Sequence, residues 1–265
     1  MFEESGAGLR ADTKKAVVSQ IAIVAYFYAM RSCEITATPT PGRTRITRLR
    51  GVIFRDASHK EIPHKSAQLS AASRVTVTFE NQKNGLKMDR RTHERTGDPV
   101  MCPVLRLASI IKRILATDDA AGPDTPVSTI WETEGRRVVT SDELRLQLRS
   151  SCTKGGGVGT FGYGAGDIGT RSIRSGAAMG LFLMNHPVAK IMILGRWSSD
   201  AFLVYIRPQV LEWTNQMSVD MIRNNSFFDA ADSRRSSADD PLTRAKTVSL
   251  PDGSRRKANK IHIHH

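Results

Sequence analysis

Leu194-Gly195-Arg196-Trp197-Ser198-Ser199-Asp200-Ala201-Phe202-Leu203-Val204-Tyr205-Ile206-Arg207 is the stretch that decides how the chain is read. Gly195 reads as the stop of a helix that Pro187 opens and that runs to Leu194. Ser198 or Ser199 caps a short helix through Tyr205, and Pro208 starts another that reaches about Ile222. Trp197 brings an indole N–H able to donate to an anionic oxygen, and Tyr205 brings a phenol three residues after Phe202. The ordinary role of each is to anchor a core.

Upstream, Arg171-Ser172-Ile173-Arg174 sets two cations at the head of a helix spanning Ser172 to Met184, just before the small residues Ser175-Gly176-Ala177-Ala178. Arginines normally favour a helix C-terminus, so two at this end point to an anionic ligand, and the small residues permit close packing. Residues 153–166 hold seven glycines, including a literal G-x-G-x-x-G from Gly157 to Gly162. No apolar strand precedes that motif and no helix follows it directly, so it reads as a flexible loop rather than a phosphate cradle.

Nearer the N-terminus, residues 14–32 read as a helix capped by Asp12 or Thr13, with Val17, Val18, Ile21, Val24, Ala25 and Tyr28 on one face. Arg31 extends that apolar stripe, and Glu34, three residues on, is the nearest partner for its guanidinium. A purely structural ion pair is the plain alternative. Pro39-Thr40-Pro41-Gly42 breaks the chain, and Ile46–Phe54, Arg74–Glu80 and Leu86–Thr92 read as extended. Asn81-Gln82-Lys83-Asn84-Gly85 supplies a hairpin turn with Lys83 at its tip. Pro103 opens a further helix with Val104, Leu107, Ile111, Ile114 and Leu115 on its apolar face, and Ser141-Asp142-Glu143 heads another through Leu148. The alternating run Arg43, Arg45, Arg48, Arg50 is a candidate phosphate-contact strand or an ordinary strand with a charged face.

Composition narrows the class of partner. The 265 residues carry a net charge of +13, and because residues 226–265 hold eight Lys/Arg against five Asp, +10 falls on residues 1–225. A basic folded part is suited to a polyanion, since phosphate neutralisation with counterion release dominates nucleic-acid affinity. The longest apolar run, Ile21–Met30, is ten residues, too short for a bilayer span of about 20. The N-terminus lacks the order of a signal peptide, and Cys33, Cys102 and Cys152 form neither a disulfide framework nor a zinc motif, so an intracellular protein with reduced thiols is expected. The last 40 residues read as a disordered basic tail.

Taken in order, Arg31-x-x-Glu34, the hairpin Lys83, Arg171-x-x-Arg174, Leu194-Gly195-Arg196-Trp197 and Tyr205-Ile206-Arg207 resemble the catalytic domain of tyrosine recombinases. This is the phage-integrase and Cre-like family, and the likeness is to the recombinases of crypton-type transposons. It spans about residues 12–222 and implies an α+β, mainly α fold with a small antiparallel sheet, a catalytic domain over 1–225 and the tail over 226–265. By that resemblance Tyr205 attacks a DNA phosphodiester to form a 3′-phosphotyrosine, with neither metal nor cofactor. Arg31 and Arg174 match the family's two arginines, Glu34 would orient Arg31, and Lys83 matches the lysine that protonates the leaving oxygen, with Lys87 as its substitute.

Arg171 stands where the family usually has His and is placed with the other catalytic residues around the scissile phosphate, where arginine can bind a phosphate oxygen but cannot serve as a general base. For the family's later His or Trp, Trp197 fits by type and Arg196 by its nine-residue spacing to Tyr205; Trp197 is favoured, with Arg196 read as a DNA contact. Only about 30 residues precede Arg31, where the family carries a separate DNA-binding domain. The implied partners are double-stranded DNA and other copies of the chain in a homo-tetramer, in the nucleus if the source is eukaryotic. A DNA-binding remnant that holds duplex without cutting it, and a type IB topoisomerase, are the alternative readings.

Overall fold

The computed structural model describes residues 14–39, 42, 44–82, 85 and 87–197. Over the described residues the architecture is mixed α/β, with about 46% helix, 19% strand and a small antiparallel sheet. No described helix is long and apolar enough to cross a membrane. The division into residues 1–225 and a tail, together with the short helices placed after Ser198, lies outside the described residues.

Helix α1 (Lys14–Phe27) is the hub, and α3 (Pro103–Thr117), α4 (Ser141–Lys154) and α6 (Arg171–Leu183) all pack against it. Val17, Val18, Ile21, Val24 and Ala25 are buried as their spacing requires, and Ile23 is buried on another side. A helix apolar nearly all round is one surrounded by protein. On α3, Val104, Leu107, Ile110, Ile111 and Ile114 are fully buried, each stabilising the fold by about 1.5–3 kcal/mol. Small residues let α6 approach α1 closely: a Cβ on Gly180 would sit 2.7 Å from the Tyr26 hydroxyl.

The main sheet has the order β2-β1-β3-β4, all neighbours antiparallel: β1 is Val52–Arg55, β2 Glu61–Ile62, β3 Arg74–Asn81 and β4 Lys87–Glu94. The hairpin expected around Asn81–Gly85 is the β3–β4 pair, running from Arg74↔Glu94 to Asn81↔Lys87. The extended segment expected over 46–54 is shorter. Arg48 makes an isolated bridge to Pro126, Leu49–Gly51 form a 3-10 turn, and the strand begins only at Val52. A second hairpin, β5 (Thr129–Glu132) with β6 (Gly135–Val138), carries no alternating apolar pattern and was not expected from sequence.

Two helix ends depart from the sequence reading. The first helix stops at Phe27 because Ala29 turns left-handed (φ 44°), with Ala29 N–H donating to Tyr26 O and Met30 N–H to Ala25 O. Arg31 therefore leaves the apolar stripe and stands at the N-cap position of the short helix α2 (Ser32–Ile35), where its backbone N–H donates to the Glu34 carboxylate. Helix α7 (Val188–Gly195) ends the same way, with Arg196 rather than Gly195 in the left-handed conformation (φ 59°). In the glycine-rich segment the chain forms one-turn α5 (Val158–Phe161) and a 3-10 turn over Ala165–Asp167.

At the start of α4, Thr140 and Glu143 form a reciprocal capping box, and the Glu143 carboxylate also accepts from Arg137 at 2.8 and 2.9 Å and pairs with Lys14. Burial alone would raise the Glu143 pKa, but these hydrogen bonds from Arg137, Lys14 and the Thr140 N–H hold it down at about 2. A carboxyl near 4.3 when unfolded and near 2 when folded stabilises the fold above the higher value, and that contribution is lost as pH falls through the window between them. Thermal unfolding of wild type against Glu143→Gln should show a gap of about 1 kcal/mol at pH 6, solvent screening included, that closes toward pH 2. A gap independent of pH contradicts the assignment.

Candidate functional site

The C-terminal ends of α1 and α7 face one another, and both present backbone carbonyls that two buried arginines join. Arg174, on α6, is 5% exposed; its Nη1 donates to Ala29 O at 2.9 Å and its Nη2 to Gly195 O. Its guanidinium lies 4.2 Å from the centre of the Trp197 ring, a cation–π distance. Arg196 donates from Nη1 to Tyr28 O (2.7 Å) and Leu194 O (3.3 Å), and from Nη2 to Ala29 O (3.3 Å) and Glu34 Oε2 (2.6 Å). The Arg196 side chain is 0% exposed and Glu34 1%.

Glu34 is the acidic centre of this cluster. Its Oε2 also accepts from the Arg31 backbone N–H at 2.8 Å, and its Oε1 from Arg31 Nη1 at 3.0 Å. Arg31 keeps 26% of its side chain exposed, so one carboxylate joins a buried and a solvent-facing guanidinium. Burial pulls the Arg196 pKa below its ordinary value, Glu34 opposes that, and the nearby charges of Arg31 and Arg91 reinforce it. A guanidinium so placed stays charged at any physiological pH.

The sequence-expected residues divide as follows. Arg31, Glu34, Arg174 and Trp197 come together. Lys83, Tyr205 and Arg43 lie outside the described residues. Lys87 is exposed at the first position of β4. Arg171 stands exposed at the first position of α6, where it lines a groove of about 650 Å³ with Tyr26 and Met179 rather than joining the buried cluster.

Arg45 is exposed, whereas Arg48 pairs with Asp124 at 2.6 Å and Arg50 is bidentate to Glu80 at 2.6 and 3.0 Å and also pairs with Asp124. Both paired arginines remain partly exposed. Arg196, read from sequence as a DNA contact, is enclosed by protein: the left-handed turn at the end of α7 directs it inward to Glu34.

Sequence reasoning missed a connection from the hairpin to α7. Gln82 Nε2 donates to Asp89 Oδ2 at 3.0 Å, Asp89 pairs with Arg91, and Arg91 Nε donates to Ile193 O at 2.9 Å. The base of the hairpin next to Lys83 is thereby tied to the last turn of α7. The signal available was the inward period-2 set Asp89, Arg91, His93 on β4, whose polarity is unusual for a covered face.

Tyr28, by contrast, has no place as a nucleophile. It is fully buried, its hydroxyl donates to Val75 O at 2.9 Å, and burial pushes its pKa well above the ordinary tyrosine value. Among the described residues, no group of three or more His, Cys, Asp or Glu side chains is placed to hold a metal ion.

Gly195 is required by its neighbour. A Cβ there would lie 1.6 Å from the Trp197 ring, which occupies the space a side chain would need. Gly195→Ala should push the indole away from Arg174 and cost about 1–3 kcal/mol, read as a lowered midpoint in thermal unfolding. An unchanged midpoint would show that the ring does not cover Gly195.

No protein-family model matches the chain, and no curated protein matches it in sequence.

Proposed function

We propose that the protein breaks and rejoins double-stranded DNA in the manner of a tyrosine recombinase. The Tyr205 oxygen attacks a backbone phosphorus, the P–O5′ bond breaks, and a 3′-phosphotyrosine and a 5′-hydroxyl result. Attack of that hydroxyl on the phosphotyrosine reverses the step and releases the phenol, so no cofactor is consumed. Arg31 and Arg174 would hold the non-bridging oxygens, Lys83 would protonate the leaving oxygen, and Trp197 would pack against the site and donate one hydrogen bond. Assembly on DNA as a tetramer belongs to the same proposal.

The observation that carries this reading is that Arg31, more than 140 residues from Arg174 and Trp197, shares one cluster with them: Arg31 through Glu34 and Arg196, Arg174 through Ala29 O, and Trp197 through its ring beneath Arg174. The net charge of +13 supports a polyanionic substrate. Surface ion pairs such as Arg48–Asp124 are worth about 0–1 kcal/mol, so a phosphate can displace them.

A duplex nicked so that the cleaved end diffuses away should trap a covalent protein–DNA adduct with wild type and none with Tyr205→Phe, while both bind the duplex alike. An adduct that survives the substitution contradicts the assignment of Tyr205. A second reading, a DNA-binding remnant that does not cut, draws on a specific observation: the Arg174 fork is spent on two backbone carbonyls, and Arg171 replaces the expected base. Salt-sensitive binding with no adduct from any nicked duplex favours this second reading.

A further inference from the structure

We infer that Arg196 is a positioning residue that fixes the guanidinium groups of both Arg31 and Arg174 without touching the DNA. The inference rests on the reading in which those two groups hold the scissile phosphate.

Direct contact is excluded by geometry. The Arg196 side chain is 0% exposed, and its two Nη atoms carry four hydrogens that face four acceptors: Tyr28 O, Leu194 O, Ala29 O and Glu34 Oε2. A phosphate could take one of those hydrogens only if a buried acceptor lost it. The guanidinium also lies 3.8 Å from the centre of the Phe79 ring, a ring 4% exposed, so protein occupies that direction too.

What distinguishes Arg196 from a merely stabilising buried cation is that it shares acceptors with both other arginines. Ala29 O accepts from Arg196 and from Arg174; the Glu34 carboxylate accepts from Arg196 and from Arg31. The backbone acceptors of Arg196, Tyr28 O and Ala29 O after α1 and Leu194 O in the last turn of α7, lie at electronegative helix C-termini, where cations are favoured. The donor comes from Arg196 itself, turned back by the left-handed end of α7, so the cross-brace closes between residues 28 and 196. Lysine keeps the charge but has no planar fork and cannot reproduce four bonds in one plane.

The test uses the 265-residue chain with 15N-labelled arginine and the Arg196→Lys variant. In wild type, the Nη groups of Arg31, Arg174 and Arg196 should rotate slowly and give separate signals, while those of exposed Arg45 average. In Arg196→Lys, the Arg31 and Arg174 side-chain signals should both move. Adduct formation should slow about 100-fold, the effect of a small misplacement of reacting groups. Duplex affinity should stay within about twofold, because exposed cations supply it.

Unmoved Arg31 and Arg174 signals overturn the inference. So does a parallel fall of affinity and adduct rate in proportion to lost folded protein, the mark of a purely structural role. If Arg196→Lys does not fold, wild type still decides: averaged Arg31 and Arg174 signals refute positioning. Absence of any wild-type adduct counts against the recombinase reading alone, because the resonance measurement does not depend on cleavage.

Discussion

Glu34→Gln lowers the unfolding free energy by about 3–5 kcal/mol, the range for leaving one member of a buried ion pair uncompensated. The size follows from which partner is stranded. Arg196 is wholly buried and loses the carboxylate to which it donates, whereas Arg31, 26% exposed, can be solvated in its place. Removing Arg31 instead, as Arg31→Gln, should cost only about 1 kcal/mol, because Arg196 continues to neutralise Glu34. Urea unfolding with an unchanged denaturant slope measures both variants. Equal losses for the two would mean that the carboxylate does not serve the buried guanidinium preferentially.

Arg174→Lys carries the largest expected effect on activity. The guanidinium spans from Ala29 O to Gly195 O and lies over Trp197, so one side chain joins the end of α1, the end of α7 and the indole. An ammonium can satisfy one of those carbonyls but not both, and it cannot stack a planar face on the ring. If the group also stabilises charge on the attacked phosphate, as proposed, the rate of adduct formation should fall by about 10²–10³, the effect of deleting one preorganised donor to a transition-state oxyanion. Single-turnover cleavage of the nicked duplex at saturating protein reads this directly. A rate within tenfold of wild type would remove Arg174 from the reaction.

Much of this arrangement is legible in the sequence because it is local or periodic. The α1 face follows from 3.6-residue spacing, the β3–β4 hairpin from period-2 alternation and Asn-Gly, and the Arg31–Glu34 pair from its i, i+3 separation. What stayed hidden depends on long-range partners or on unusual backbone. Arg48 and Arg50 find Asp124 more than 70 residues away, and Arg50 finds Glu80 at 30, so a row of arginines on paper becomes an ion-pair network in the fold.

Helix ends that turn left-handed at Ala29 and Arg196 defeat the expectation that glycine fills such positions. The first of them moves Arg31 off α1, and the second sends Arg196 to the interior. Glycine spacing also misleads in the other direction: Gly195 is required not by its own φ but by the ring lying over it.

Peptide mapping of the trapped protein–DNA adduct tests the proposed chemistry most directly. After nuclease trimming and proteolysis, mass spectrometry should find the residual nucleotide on the peptide containing Tyr205, joined through the phenolic oxygen. A nucleotide on any other residue, or a duplex bound tightly without a covalent product under conditions where the cleaved end cannot return, would contradict it.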